Sequence, residues 1–347
     1  MYLLSYGTRP ELIKLFPLIN KMEEERIPHA TLFTGQHQDL ISEFKDLVSS
    51  PTFELDEVMA PNQSINILLS KIINKSDSII NNTDYRLIVQ GDAASTYAMA
   101  LSAFNNKREV IHLEAGLRTN NLNSPFPEEG YRKMISQIAN IHLCPTEKAV
   151  ENLNSERIYE NVHLVGNTIV DSYKLILNHG EVSSNIKKLV DNTDAFYLCT
   201  LHRRENREYF KNMWNELNEI AEYKKIIYVT HPSVQNSKVS LSEKIEILEP
   251  VNYQDMIYLI DKSTGVISDS GGIQEEVVCM KKKILICRNN TERPETVNSG
   301  YGKIVGRKIK ENIHFLDTPV IDSENKNPYG ENVTSKIFNV LENINGA

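Results

Sequence analysis

The chain of 347 residues has one tryptophan and only four cysteines, Cys144, Cys199, Cys279 and Cys287. No C-x-x-C pair occurs among them, which argues against a zinc knuckle or a dithiol redox motif, and their apolar surroundings predict buried free thiols. Long apolar runs are missing too: none approaches the roughly 18 uncharged residues that a membrane span requires. The opening MYLLSYGTRPELIK lacks a basic leader, and Arg9 and Glu11 break its apolar stretch, so it does not read as a signal peptide. These absences predict a cytoplasmic protein with no membrane partner. Basic charge is also in short supply. With 38 Lys and Arg against 46 Asp and Glu, the formal net charge is -8, and broad nucleic-acid binding, which needs a basic face to release counterions, is not expected. H-E-x-x-H, D-x-D-x-D-G and Cys/His clusters are absent, so a metal is a poor fit, and neither the P-loop nor the G-x-G-x-x-G fingerprint occurs.

What the chain has is alternation. Apolar runs at 2–5, 30–33, 87–89 and 110–113 each precede a helical pattern, at 11–22, 40–47, 96–104 and 129–138. The sequence then restarts with a helix over 168–177 and strands at 196–200, 226–229, 245–248, 266–268 and 284–287. Strand alternating with helix predicts parallel sheets covered on both faces. With 40% hydrophobic residues the chain can form two cores of ordinary size. The expectation is an α/β protein of two Rossmann-like domains, 1–166 and 167–332, hinged near Gly166, where Asn167 could cap the next helix. The polar segment 181–194 reads as a loop or a marginal helix. A C-terminal helix at about 333–347 packs on one of the two domains.

Ligands of open parallel sheets bind beyond the carboxyl ends of strands, and there the chain keeps its chemistry. Gly7-Thr8-Arg9-Pro10-Glu11 follows the first strand, Gly91-Asp92 another, and Glu114 a third. His202-Arg203-Arg204 and Asp269-Ser270-Gly271-Gly272 hold the matching places in the second half. Glycines at a strand-to-helix junction let a ligand approach the backbone, and a helix start suits a diphosphate. For Gly-Gly alone a plain tight turn is the commoner account, and a structural histidine is commoner than a catalytic one. Five such placements in one chain argue for a cleft. The stretch LEAGLRTNNLNSPFPEEGYRK at 113–133 adds Glu114, Glu128 and Glu129 close to Arg118 and Arg132. Surface ion pairs of about 0 to 1 kcal/mol would be the bland account. Carboxylates grouped without a metal push one another's pKa values apart and suit proton transfer.

The ordered set G-T-R-P-E at 7–11, G-D at 91–92, E-A-G-L-R-T at 114–119, S-P-F-P-E-E at 124–129, H-R-R-E-N at 202–206, D-S-G-G-I-Q-E-E at 269–276 and T-E-R-P-E at 291–295 resembles the non-hydrolysing UDP-N-acetylglucosamine 2-epimerase family, over residues 7 to about 306. The resemblance implies a glycosyltransferase-B type fold, a nucleotide sugar in the interdomain cleft, a homodimer, and no cofactor. It implies removal of the C2 proton, departure of UDP from C1 to leave a 2-acetamidoglucal, and re-addition with C2 inverted, supplying surface polysaccharide precursors. By motif position Asp92, Glu114, Glu128 and His202 resemble the catalytic set. Arg9, Lys14, Arg132, Arg203, Ser270, Gly271, Gly272, Glu276 and Arg293 resemble the UDP-sugar contacts, with Glu276 on the ribose. Arg118 and Arg132 would keep some of the acids ionised and hold their loop.

The chain also departs from the pattern. Tyr131 stands where the family usually has Asn, and Ala93-Ala94 replace hydroxyl residues, which opens an alternative substrate: a modified UDP-2-acetamido sugar, such as a 2,3-diacetamido uronic acid or a 6-deoxy hexose. Gln36, Glu129, Arg203 and His231 occupy positions compatible with an activator site that some members have, but Asp39 replaces a longer side chain there, so weakened or absent activation is expected. A hydrolysing epimerase or a glycosyltransferase of the same fold is a further alternative. Hydrolysing relatives generally carry G-T-R-A-[DE], against the G-T-R-P-E found here.

Overall fold

A computed structural model of the chain describes residues 1–37, 40, 44, 48–82, 84–231, 241–319 and 327–345. The chain divides into two compact units, Met1–Ser172 joined by the segment from Tyr329 onward, and Tyr173–Pro328.

The first unit is built on seven parallel strands: β1 (Tyr2–Tyr6), β2 (His29–Phe33), β3 (Phe53–Glu54), β4 (Arg86–Gln90), β5 (Val110–Leu113), β6 (Ile141–Cys144) and β7 (Val162–Leu164), in the order β3-β2-β1-β4-β5-β6-β7. Crossover helices cover both faces of such a sheet, so strand residues are apolar without alternation; Leu3, Leu4, Ile88, Val89, Val110 and Ile111 are all fully buried. Strand order reverses between β1 and β4. Helices Arg9–Glu24 and Ala94–Asn105 leave the ends of those two strands, and the loops there flank the crevice in which doubly wound sheets place ligands.

Six parallel strands form the second sheet: β8 (Tyr197–Thr200), β9 (Ile226–Val229), β10 (Ile245–Leu248), β11 (Gly265–Ser268), β12 (Ile284–Ile286) and β13 (Gly302–Ile304), in the order β10-β9-β8-β11-β12-β13. Its reversal lies between β8 and β11. One apolar cluster gathers Tyr197, Phe210, Trp214, Leu217 and Ile267; another gathers Leu198, Ile227, Ile260, Val266 and Val277. Alternate strand residues thus serve opposite faces. All four cysteines are buried free thiols.

Most expected elements occur with ends shifted by one or two residues. The helix expected at 40–47 falls largely outside the described residues, where only Leu40 and Phe44 can be placed, both helical and buried. The two-turn helix Ser184–Asp191 occupies part of the segment read as a loop or marginal helix, because Ile186 and Val190 bury one face. Helix Ile65–Asn81 escaped the reading, although Leu68, Ile72 and Ile80 mark its buried stripe at helical spacing; the two-residue β3 is too short to leave a pattern.

Near the expected hinge, Gly166 has φ +102°, and a Cβ there would lie 2.5 Å from the Tyr329 carbonyl oxygen. A side chain would have to displace the returning chain. Asn167 Oδ1 accepts from the Ile169 N–H at 3.0 Å, the capping role expected of it. C-terminal helix Val333–Asn345 is tied to the first unit, where the Thr334 N–H and hydroxyl both donate to Asp171 at 2.7 Å.

Candidate active site

Adjacent strands β4 and β5 carry Asp92 and Glu114 just beyond their ends. Gly91, at φ +72°, precedes Asp92, and Glu114 itself adopts φ +64°, a left-handed conformation that costs energy in any residue with a Cβ. Its carboxylate accepts from Lys14 Nζ at 2.7 Å, with both side chains 7% exposed, and from Gln90 Nε2. The half-buried Asp92 accepts from Arg132 Nε at 2.7 Å. Arg132 is on helix Glu128–Ile138, which begins with Glu128. Residues four apart share a helix face, so Glu128 lies one turn from the partner of Asp92. Glu128 Oε2 is buried with no hydrogen-bond partner among the described residues. A buried acceptor left unsatisfied costs about 1–3 kcal/mol, which makes Glu128 the group in this cluster most open to a ligand.

Glu129 differs from its neighbour. Fully buried, it accepts from the Thr119 N–H at 3.0 Å, the Asn120 N–H at 2.9 Å and Arg132 at 3.2 Å, holding the loop that follows Glu114. Arg132 therefore has the role read from sequence, pairing with Asp92 and Glu129. Arg118 does not: it makes a bidentate pair with Glu156 at 2.9 and 2.7 Å and donates to Ser136. Sequence proximity misled there, because Glu156 is brought in by tertiary packing.

At the β1–β4 reversal, buried Glu11 accepts from the Gly7 and Thr8 N–H groups at 3.0 and 2.7 Å and from the Ser95 hydroxyl at 2.9 Å, with the Thr96 hydroxyl at 2.8 Å. Burial raises its pKa against the pull of those donors. Glu11 thereby ties the loop of the half-buried Arg9 to the helix after Asp92, a role its place in G-T-R-P-E did not disclose. Gln36 Oε1 accepts the Ser95 N–H at 3.1 Å. It satisfies the first turn of a helix whose own cap position, Ala93, has no hydroxyl. Asp39 lies outside the described residues. Tyr131 is buried and stacks on Tyr97, with ring centroids 4.9 Å apart; burial first, then the charge of Glu128, raises its phenol pKa.

In the second unit, the fully buried Asp269 accepts from the His202 N–H at 3.0 Å, the Arg203 N–H at 3.0 Å and Asn206 Nδ2 at 2.9 Å. This clamp joins the loop after β8 to the end of β11, across that sheet's reversal. The His202 ring stacks on the exposed His231 at 4.4 Å, with Nδ1 3.4 Å from Asp269. Burial lowers its pKa, Asp269 opposing, so the imidazole is held toward its neutral form.

Helix Gly271–Cys279 starts at Ser270 with no side chain capping it. A Cβ on Gly271 would come within 2.8 Å of the Arg293 guanidinium and 3.1 Å of Glu292, whereas one on Gly272 would meet nothing within 4 Å. A side chain at Gly271 would make the Arg293 guanidinium shift, whereas Gly272 leaves the helix tip open. Arg288 and Arg293 reach Glu292 at 2.7 and 2.8 Å, with Arg203 at 3.7 Å. Burial works against ionisation of Glu292, but the three guanidiniums outweigh it and hold the carboxyl at about 2. Glu276 accepts from the Tyr253 hydroxyl at 2.8 Å. The neighbours of Tyr253, Asn252 and Asp255, line a groove of about 280 Å³ with Asn185, Ile186, Leu248 and Val251. That is slightly below the roughly 300 Å³ of the smallest whole-ligand pockets, so it has room for part of a ligand. Sequence reasoning found neither this groove nor the Asp269 clamp; only the D of D-S-G-G pointed to the latter. Among the described residues, no group of His, Cys, Asp and Glu could hold a metal ion, and no helix is long and apolar enough to cross a membrane.

A family model described as UDP-N-acetylglucosamine 2-epimerase matches residues 20–342. A UDP-N-acetylglucosamine 2-epimerase from Campylobacter jejuni is 34% identical over 371 aligned positions, 98% of this chain and 96% of that protein. One from Salmonella borreze is 33% identical, covering 96% of each. Among solved structures, the epimerase of Neisseria meningitidis bound to UDP-GlcNAc has a TM-score of 0.86 at 32% identity, over 99% of this chain and all of that one. A glycosyltransferase from Streptomyces nogalater, 11% identical with a TM-score of 0.56 over 99% of this chain and 94% of its own, shares the fold alone.

Proposed function

The chain belongs to the UDP-N-acetylglucosamine 2-epimerase family, and on that premise we propose that it interconverts UDP-N-acetylglucosamine and UDP-N-acetylmannosamine by eliminating and re-adding UDP. A carboxylate takes the proton from C2, the C1–O bond to the diphosphate breaks, and 2-acetamidoglucal and UDP form. UDP oxygen then rejoins C1 while a proton reaches C2 on the opposite face. The reaction is redox-neutral overall, so it calls for no electron carrier.

Asp92, Glu114 and Glu128 are the acids proposed to move protons and to stabilise positive charge at C1, with His202 beside the leaving group. Lys14 and Arg132 pair with Glu114 and Asp92, each at 2.7 Å, and so hold the two carboxylates in place. Ser270, Gly271, Gly272, Arg203, Arg293 and Arg9 are proposed to hold the diphosphate, Glu276 the ribose, and the groove by Tyr253 the base. The observation that carries the reading is Glu128, a carboxylate with one oxygen buried and unpartnered among the described residues, one turn from the arginine that grips Asp92. A second reading, a modified UDP-2-acetamido sugar, is favoured by Tyr131, a large ring stacked on Tyr97 and close enough to feel the charge of Glu128, where the family usually has a smaller amide.

The test is incubation with UDP-N-acetylglucosamine in D2O, followed by NMR. Deuterium at C2 of both UDP-sugars supports the proposal; free sugar plus UDP would make it a hydrolase, and need of an acceptor a transferase. Exchange confined to a modified UDP-sugar selects the second reading. Asp92→Asn should abolish exchange while UDP still binds, and full activity in that variant would remove Asp92 from the mechanism.

We also propose a homodimer that works in the cytoplasm and supplies surface polysaccharide precursors. Supporting the dimer, Ile65 and Ile67 on one helix and Phe104 on the helix packed beside it expose apolar side chains, and light scattering giving a monomer mass would refute it.

A further inference from the structure

We propose that His112 is a positioning residue for Asp92, acting through the Gly91 carbonyl; this rests on the reading of Asp92 as a proton carrier. His112 lies on β5 and is 1% exposed. Its Nε2 is 2.8 Å from the Gly91 carbonyl oxygen on the neighbouring strand end. A carbonyl only accepts, so Nε2 carries the proton and a neutral ring leaves Nδ1 bare; Nδ1 has no partner among the described residues. An apolar residue at this place would avoid that orphaned nitrogen. The histidine is explained by the one bond it makes.

That bond is well placed to aim the acid. The Gly91 carbonyl and the N–H and Cα of Asp92 belong to one planar peptide unit, so fixing the carbonyl fixes the plane from which the Asp92 side chain departs. Gly91 has no Cβ to restrict it and sits at φ +72°, a joint that turns easily when unheld. The Gly91 N–H is also tied, donating to the Leu113 carbonyl at 3.0 Å. Both peptides of the joint are thus anchored to β5, the strand that leads into Glu114. From the side-chain end, Arg132 holds the Asp92 carboxylate at 2.7 Å. His112 sets where the side chain starts and Arg132 where it ends, and the two acids are referenced to the same strand. Burial, chiefly, keeps the imidazole neutral down to about pH 4, with the Gly91 bond opposing.

The test compares His112→Gln with His112→Asn. A glutamine amide nitrogen reaches about as far as imidazole Nε2, while an asparagine amide reaches only as far as Nδ1. Both bring a polar amide into the core, so a purely structural role would affect them alike. His112→Gln should keep kcat for C2 exchange within about threefold of wild type, and His112→Asn should lose on the order of 10- to 100-fold in kcat, the scale of a reacting group misplaced by about 1 Å. Substrate KM and UDP affinity by calorimetry should change little in either. Equal kcat in the two variants, or a loss confined to KM, overturns the proposal. If His112→Asn is not recovered folded, His112→Gln decides alone: retained kcat supports the positioning role, and a drop of more than about tenfold in folded protein refutes it. Wild-type protein without C2 exchange would bring down the function reading and this inference together, whereas wild-type exchange with indistinguishable variants brings down this inference only.

Discussion

Acidification should destabilise the first unit through two histidines that are neighbours across a sheet. His112 and His142 pair in register on β5 and β6, and burial, above all, depresses both to about 4 from an ordinary 6.5. A group whose folded pKa is depressed contributes stability that is fully present above the unfolded value and lost as pH falls through the folded one. Between pH 6.5 and 4 the unfolded chain takes up protons that the folded unit refuses. At about 1.4 kcal/mol per tenfold, the full difference is roughly 3 kcal/mol for one such histidine, of which about 2 kcal/mol is already gone at pH 5. The two losses are not additive, because a charge on either ring also opposes charge on the other. Replacing His142, which has no part in the proposed chemistry, by leucine should flatten the pH dependence of unfolding by about 2 kcal/mol between pH 7.5 and 5. Comparing slopes cancels the cost of the substitution itself. The single tryptophan, Trp214, lies in the core of the second unit and reports on the wrong unit. Amide hydrogen exchange of peptides spanning β5 and β6, measured in rising urea, follows the right one. An unchanged slope in His142→Leu would refute the assignment of the acid loss to this pair.

Four further outcomes follow from contacts around the sites. Gly7→Ala would put a Cβ 2.1 Å from the Thr34 hydroxyl and 2.9 Å from Ser95 Cβ, and should cost about 1–3 kcal/mol by overpacking; Gly272→Ala, with open space around it, should leave the thermal midpoint unchanged or higher but weaken UDP binding at least about tenfold by calorimetry. Arg118→Ala breaks a bidentate pair whose arginine is 1% exposed, while the partly exposed Glu156 keeps Lys133 at 3.4 Å, and should cost about 1.5–3 kcal/mol in urea unfolding, the scale of a hydrogen bond to a charged group, with UDP binding intact; a loss below about 1 kcal/mol would mean that the pair is dispensable. Glu292→Gln leaves Arg288, Arg293 and Arg203 without the charge they share, so the thermal midpoint should fall and UDP should restore more of it than in wild type. Equal UDP-induced shifts would show that the diphosphate does not use those arginines.

Much of this protein was legible one residue at a time. Alternating apolar runs and helical stretches fixed the α/β class, because a parallel strand buried on both faces reads as a continuous apolar segment, as β4 and β5 do. Unusual residues at five strand ends marked the candidate site, since loops there are free of the packing constraints that act on the strands. Which groups touch was decided only in three dimensions. Arg118 pairs with Glu156, 38 positions away, rather than with the acids beside it; Glu11 reaches Ser95 and Thr96; Asp269 clamps the loop of His202. Glu128 and Glu129 are adjacent in sequence, yet one has a buried oxygen without a partner among the described residues and the other is consumed by two backbone N–H groups and an arginine, because successive helix residues point about 100° apart. Periodicity and residue type are local properties carried by the chain, whereas the partner of a side chain depends on which distant strand the sheet order sets beside it.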